Sequence, residues 1–224
     1  MSTLSIIATP IGNLKDLTLR AIEVLKEVDL VLAEDTRVAK KILNHLDIQK
    51  PVWRADEYAP DSFYKKVSEF LREGKNIAFV SDAGTPGIAD PGSKLVNYIR
   101  EHVPDTRIVP IPGPSAITTL LSVAGIHANE FTFVGYPPHK KGRETFFRKL
   151  AEIKIRPIVL YESPHRLQKT LESIGKTFGE DQNVIVGKEL TKIHEEVWHG
   201  TPREAEEYFK GEKGKGEFTI LINF

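Results

Sequence analysis

The chain has 224 residues, 31 Lys plus Arg against 31 Asp plus Glu, 40% hydrophobic and 28% charged residues, and no cysteine. That length holds one large domain or two of ordinary size and buries a substantial core. The missing cysteine excludes disulfides, thiolate catalysis and cysteine-ligated zinc; no apolar run approaches the ~20 residues of a membrane span; and the balanced charge makes no global case for a nucleic-acid or membrane partner.

The amino terminus, Met-Ser-Thr-Leu-Ser-Ile-Ile-Ala-Thr-Pro, lacks the basic start and long apolar core of a secretory signal, so a cytoplasmic location and no membrane contact are expected. Residues 4–8 read as a strand, ended by the tight loop Thr9-Pro10-Ile11-Gly12-Asn13. A helix follows with Leu19, Ile22, Leu25 and Val28 on one apolar stripe. Residues 30–33 form a second strand with Glu34-Asp35-Thr36-Arg37 at its end, and residues 38–46 a helix. Val52 begins a weak third strand. Residues 62–72 form a helix with Phe63, Val67, Phe70 and Leu71 on its apolar side, and Gly74 stops it.

Residues 77–80 make a fourth, fully apolar strand, followed by Ser81-Asp82-Ala83-Gly84-Thr85-Pro86-Gly87-Ile88-Ala89-Asp90-Pro91-Gly92. So much glycine and proline continues neither strand nor helix. The stretch is therefore a long ordered loop at the carboxyl end of a strand, where open α/β sheets bind ligands. The next helix is expected to start at Pro91 and to turn Leu95, Val96 and Ile99 inward. Residues 107–111 make a fifth strand.

Pro110, Pro112 and Pro114 form a stiff connector, and the domain boundary is set there: residues 1–112 and residues 113–224, each an α/β domain. The second half restarts the alternation. Residues 115–124 read as a small-residue helix, 131–134 as a strand, 142–152 as a basic helix and 158–161 as a strand. Residues 163–178 read as a helix with Ser163 as N-cap. Residues 184–187 and 195–199 read as strands, and Thr201-Pro202-Arg203-Glu204 as a capping box opening another helix. Lys210 to Gly216 is expected to be a flexible charged loop, and residues 218–223 a terminal strand. The fold class is α/β: two domains with mostly parallel sheets and a ligand cleft between them.

Familiar phosphate and nucleophile motifs are missing. There is no Gly-x-x-x-x-Gly-Lys-Ser/Thr, no Gly-x-Gly-x-x-Gly after a strand and no Gly-x-Ser-x-Gly. His194 and His199 are five apart, on opposite faces of a strand, so no metal site is expected. The charge is unevenly spread: residues 136–169 hold nine Lys plus Arg against three Glu, a local excess suited to a polyanionic partner or to a solvated helix face.

Six segments together carry a resemblance. Thr-Pro-Ile-Gly-Asn-Leu (9–14), Ala-Glu-Asp-Thr-Arg (33–37), the loop 81–92, Pro-Ile-Pro-Gly-Pro-Ser-Ala (110–116), Tyr-Glu-Ser-Pro-His-Arg (161–166) and Lys-Glu-Leu-Thr-Lys-Ile-His-Glu-Glu (188–196) resemble, in order, the ribosomal RNA branch of the tetrapyrrole-methylase superfamily. The resemblance implies S-adenosyl-L-methionine as cofactor, held between two α/β domains, and a homodimer. It also implies methyl transfer to the ribose 2′-hydroxyl of a cytidine in the decoding region of 16S rRNA, in the small ribosomal subunit. The C-terminal extension that some members carry is expected to be lacking.

By position, Gly84, Thr85, Ile88 and Ala89, with Asp82, match the superfamily's cofactor loop. Ser115 and Ala116 match its small-residue pair, and Pro10 the proline of its first loop. Glu162, Lys188 and Ile220 are the carry-overs in the second domain. A ribose hydroxyl is a poor nucleophile that a base assists; Asp35 and Glu34 are the candidates, with Glu189 next. Arg37, Lys140, Lys141, Arg143, Arg148 and Lys149 are expected to hold RNA phosphates, and Tyr136 to stack on an unpaired base. Two alternatives stand beside this reading: another branch acting on a tetrapyrrole or a modified amino acid, and a non-catalytic RNA-binding module. Gly84-Thr85-Pro86, where Gly-Asp-Pro is usual, argues against the first.

Overall fold

A computed structural model describes residues 1–90 and 92–222. The chain divides into two compact units, Met1–Ser115 and Ala116–Phe224.

In the first unit β1 (Thr3–Ile7), β2 (Leu30–Ala33), β3 (Val52–Arg54), β4 (Ile77–Val80) and β5 (Arg107–Ile111) form a sheet in the order β3-β2-β4-β1-β5. Every pairing in it is parallel. Parallel sheets are covered on both faces, so their strands are apolar throughout. Alternate residues go to opposite layers. Val31, Ala33, Ala78 and Val80 meet Ala21 and Leu25 of α1 (Leu19–Glu27) and Ala39 and Ile42 of α2 (Thr36–His45). Leu30, Leu32, Ile77 and Phe79 meet Val67 and Leu71 of α3 (Asp61–Arg72) and Leu95 and Ile99 of α4 (Gly92–His102). Leu19, expected on the inward stripe, is 79% exposed. Thr18 caps the helix by accepting from Ala21 N–H, and that start turns Ala21 and Leu25 to the sheet instead. The helix start expected at Pro91 lies outside the described residues.

The register aligns the strand ends. Val80 pairs with Ile7 and with Ala33, Ala33 with Arg54, and Ile7 with Ile111. The last residue of every strand thus lies in one row, and all five following loops leave from one edge.

The second unit comprises α5 (Ala116–Val123), β6 (Thr132–Phe133), α6 (Arg143–Glu152), β7 (Ile158–Glu162), α7 (Leu167–Phe178), β8 (Val184–Lys188), β9 (Glu196–Gly200), α8 (Pro202–Tyr208) and β10 (Phe218–Ile222). Its sheet has the order β6-β7-β10-β8-β9. Only β6 and β7 run parallel; β10 is antiparallel to both β7 and β8, and β8 to β9. This sheet is therefore mixed, because the terminal strand inserts between two strands that already run the same way. The capping box at Thr201 and Glu204 is formed. Asn223, expected to end the last strand, lies outside the described residues.

Two local expectations change. Ser163 does not cap α7: that helix begins at Leu167, and residues 163–166 form a turn in which the Ser163 carbonyl accepts from Arg166 N–H and Leu167 N–H, each at 3.1 Å. The cause is Glu162, whose carboxylate takes Ser163 N–H and the Arg166 guanidinium and so holds the turn closed. The loop 210–216 is not without structure either, since residues Gly211–Gly214 form a 3-10 turn.

Candidate functional site

The loop after β4 is fixed to its neighbours on both sides. Thr9 and Gly84 exchange two backbone hydrogen bonds, at 2.9 and 3.0 Å, in an isolated antiparallel bridge. The buried Thr9 hydroxyl also donates to the Ser81 carbonyl at 3.0 Å. Gly84 has a φ of +79°, the left-handed region that favours glycine. On the other side the Asp82 carboxylate accepts from Asp35 N–H at 2.9 Å, tying the loop to the end of β2. Thr85 donates its hydroxyl to the Pro114 carbonyl at 3.2 Å.

The far part of the loop is held from within. The Asp90 carboxylate accepts from Gly87 N–H at 2.8 and 2.9 Å and from Gly92 N–H at 2.8 Å. Gly92 is confined as well: a Cβ there would lie 2.7 Å from the Phe79 ring and 3.0 Å from Gly87 N. Between these anchors Ile88 and Ala89 are exposed, and Ala89 itself has a φ of +63°. A non-glycine residue in that region is strained, and such strain clusters at ligand clamps.

The carboxylates at this edge differ sharply. Asp35 caps α2, accepting from Arg37 N–H, and forms a two-oxygen ion pair with the Arg37 guanidinium. Those hydrogen bonds hold its carboxyl down to about 2. Glu34 accepts no hydrogen bond among the described residues. Partial burial raises its carboxyl above the usual 4.5, and the negative charges of Asp82, Asp90, Asp56 and Glu57 raise it further. Two adjacent acids are thus driven in opposite directions, which is how acid and base roles are separated. Asp35, proposed from sequence as a base, is committed to Arg37, and Arg37 to it.

In the second unit Glu162 and Lys188 flank Phe218, at the ends of the two strands that pair with β10. The Glu162 side chain is fully buried. It accepts from Ser163 N–H at 2.7 Å, from the Arg166 guanidinium at 2.8 Å and from the Thr170 hydroxyl at 2.5 Å. Thr170 in turn accepts from Arg143 at 2.7 Å; Arg143 and Arg166 also donate to the Pro138 and Pro137 carbonyls. Arg143, expected at RNA phosphates, is thus buried with its guanidinium tied to Thr170 and Pro138, and the Glu162 carboxylate, expected at the cofactor, already accepts three hydrogen bonds. Ile220, also expected at the cofactor, lies in the apolar cluster of this unit.

Glu189, the third candidate base, has a φ of +48°. Its carboxylate accepts from Lys192 Nζ at 2.9 Å and from Glu217 N–H at 2.8 Å. Burial pushes its carboxyl up, but those bonds to Lys192 and Glu217 outweigh it and leave the group below its usual value. These bonds tie the turn after β8 to Lys192 and to the start of the segment leading into β10. Tyr136 is exposed, 5.5 Å from Tyr161 and under the Arg166 guanidinium at 5.7 Å. Lys140, Lys141, Arg148 and Lys149 are exposed; Pro10 is buried, and Ser115 and Ala116 are partly so.

Thr9 and Asp90, given no role of their own from sequence within the two loops that contain them, shape the loop. Asp90 carried a signal: a carboxylate three residues after one glycine and two before another is placed for short side-chain turns. Asp56 and Glu57, which act on Glu34 through space, carried none. Among the described residues no group of three or more His, Asp or Glu side chains is arranged to hold a metal ion, and no helix is long and apolar enough to cross a membrane.

The first unit is thus doubly wound with an ordered strand-end loop, and the second carries a mixed sheet. The sequence pattern of the Tetrapyrrole (Corrin/Porphyrin) Methylases matches residues 3–206, and the chain belongs to that family. Within it, the chain is 41% identical over 223 residues to a protein of Thermotoga maritima named ribosomal RNA small subunit methyltransferase I, covering 100% of this chain and 99% of that one. A protein of the same name from Leptospira biflexa is 44% identical over 224 residues, covering 98% and 90%. Among solved structures, uroporphyrin-III C-methyltransferase of Thermus thermophilus complexed with S-adenyl homocysteine superposes with a TM-score of 0.69 at 17% identity, over 98% of this chain and 96% of that one.

Proposed function

We propose that the chain transfers a methyl group from S-adenosyl-L-methionine to the ribose 2′-hydroxyl of a cytidine in the decoding region of 16S rRNA, as a cytoplasmic homodimer acting on the small ribosomal subunit. The observation that carries this reading is the end-to-end similarity, at 41% identity, to a protein named for small-subunit ribosomal RNA methylation.

The loop 81–90 suits the cofactor. A Cβ at Gly87 would meet nothing within 4 Å, so the backbone there is open to close approach beside the exposed Ile88. Gly84, Thr85, Ile88, Ala89, Pro10, Ser115 and Ala116 are assigned to holding the cofactor, and Lys188 is the candidate from the second unit. Asp82, also assigned to the cofactor, ties the loop to the end of β2 through the bond that one of its oxygens accepts from Asp35 N–H. The cofactor supplies an activated methyl group on a sulfonium; the chain's task is alignment of the acceptor oxygen with it.

Glu34 is assigned the hydroxyl proton, since its environment raises its basicity while Asp35 is neutralised by Arg37. Tyr136 is assigned a base-stacking role, and Lys140, Lys141, Arg148 and Lys149 phosphate contacts. The test is incubation of the chain with labelled cofactor and small ribosomal subunits, followed by mapping of 2′-O-methyl sites. A labelled cytidine in the decoding region is expected. Label on a precorrin instead would move the chain to another branch, and no cofactor binding in a calorimetric titration would leave an RNA-binding module.

A further inference from the structure

The second unit carries a groove of about 730 Å³ along α6 and α7. None of the residues assigned to cofactor or proton transfer lines it. From α6 come Arg148 and Glu144, and from α7 Lys169, Glu172 and Lys176, with Lys140 ahead of α6. Glu172 is held by Lys176 at 2.5 Å, so one of the two lining carboxylates already has its cation. The exposed Lys141 and Lys149 extend the positive surface on the same segment.

Beneath this, Arg143 lines the groove and is 5% exposed. Its guanidinium lies 4.9 Å from the Phe147 ring, and its Nε has no hydrogen-bond partner among the described residues. The carboxylate nearest in the bond network is Glu162, reached through Thr170, and Glu162 is already paired with Arg166. Two guanidinium groups on one buried carboxylate leave one positive charge without a buried counterpart. A buried charge is costly unless a counter-ion reaches it, and an anion seated in the groove does so.

We propose that this groove seats the sugar–phosphate backbone of the substrate RNA, as a contact separate from the methyl-transfer site. The inference rests on the RNA reading above. Cations repeated along two helices suit a repeating polyanion better than a single phosphate, and phosphate contacts supply affinity without sequence preference.

The test reverses Arg148 and Lys169 together, as Arg148→Glu with Lys169→Glu; both side chains are exposed. The probes are a labelled 16S rRNA transcript and purified small ribosomal subunits, bound at a series of salt concentrations. The double variant is expected to bind at least about tenfold more weakly near ~0.1 M salt, with a slope of log K against log salt shallower by about 1.5. Cofactor titration and thermal melting of the variant are expected to match the unaltered chain, and the same charge change at the exposed Lys26 and Lys65 to leave RNA affinity near its original value. If the unaltered chain binds and methylates RNA and the double variant keeps its affinity and slope, the groove assignment fails alone. It also fails if the Lys26 and Lys65 variant loses as much. If the unaltered chain binds cofactor but no RNA, the RNA reading fails and the groove assignment with it.

Discussion

Replacing Glu162 by Gln separates a structural carboxylate from a ligand-binding one. The side chain is fully buried and accepts three hydrogen bonds, from Ser163 N–H, Arg166 and Thr170. Glutamine keeps the shape but removes the carboxylate that pairs with Arg166 and reaches Arg143 through Thr170. Breaking a buried ion pair by removing one partner typically costs 3–5 kcal/mol, and because the Arg166 side chain is 21% exposed the lower end, about 3 kcal/mol, is expected here. In a unit of this size that corresponds to a midpoint lowered by roughly 10–20 °C. The chain has two tryptophans, one in each unit: Trp53 packs on Phe70, and Trp198 on Tyr208 and Phe209. In a Trp53→Phe background the fluorescence of Trp198 reports the second unit alone. Cofactor affinity, measured well below the transition, is expected to stay unchanged. A loss below about 1 kcal/mol would refute the accounting of the buried charges, and a weakened cofactor with intact stability would return Glu162 to the ligand site.

The acids at the end of β2 predict a pH profile. A general base acts when deprotonated, so the single-turnover rate is expected to rise with pH through a carboxyl displaced above 4.5, that of Glu34. Glu34→Gln is expected to lower the rate about 10²–10⁴-fold and to flatten that rise, whereas a rise centred near pH 2 would point to Asp35. Gly92→Ala forces a Cβ to 2.7 Å from the Phe79 ring and is expected to cost about 1–3 kcal/mol in urea denaturation, with cofactor affinity near its original value in the variant that remains folded. Thr170→Val keeps volume but leaves a hydrogen-bonded pair unsatisfied; a loss of about 1–3 kcal/mol is expected, non-additive with Glu162→Gln in a double-mutant cycle.

The first unit was legible because its signals are local. Strands buried on both faces read as unbroken apolar runs, and Gly84, Pro86, Gly87 and Gly92 mark the loop by backbone chemistry alone. The second unit was harder. Which arginine of a basic stretch turns inward depends on Thr170, 27 residues away from Arg143, and no local pattern encodes that meeting. Ser163 followed by proline has the form of a helix start, yet the competing carboxylate of Glu162 takes its N–H. The contrast between Glu34 and Asp35 was equally hidden. Both were visible as acids at a strand end, but their divergence comes from Arg37 on one side and, on the other, from partial burial and then the charges of Asp82, Asp90 and Asp56. Nor does local pattern show that Ile220, which sequence had placed at the cofactor, is part of the apolar cluster of the second unit.

The Asp90 carboxylate, with Gly87 and Gly92 wrapped around it, has a consequence for how ligand binding evolves and is measured. The loop carries its own mould: three short bonds to one side chain set its curvature whether or not a guest is present. Ordering entropy that a slack loop surrenders at each encounter is here surrendered once, at folding. Damage to the mould therefore surfaces first as lost thermal stability and only afterwards as lost affinity. A screen for binding variants would then find them concentrated in the exposed residues between the anchors, while the anchors stay silent until the protein begins to melt.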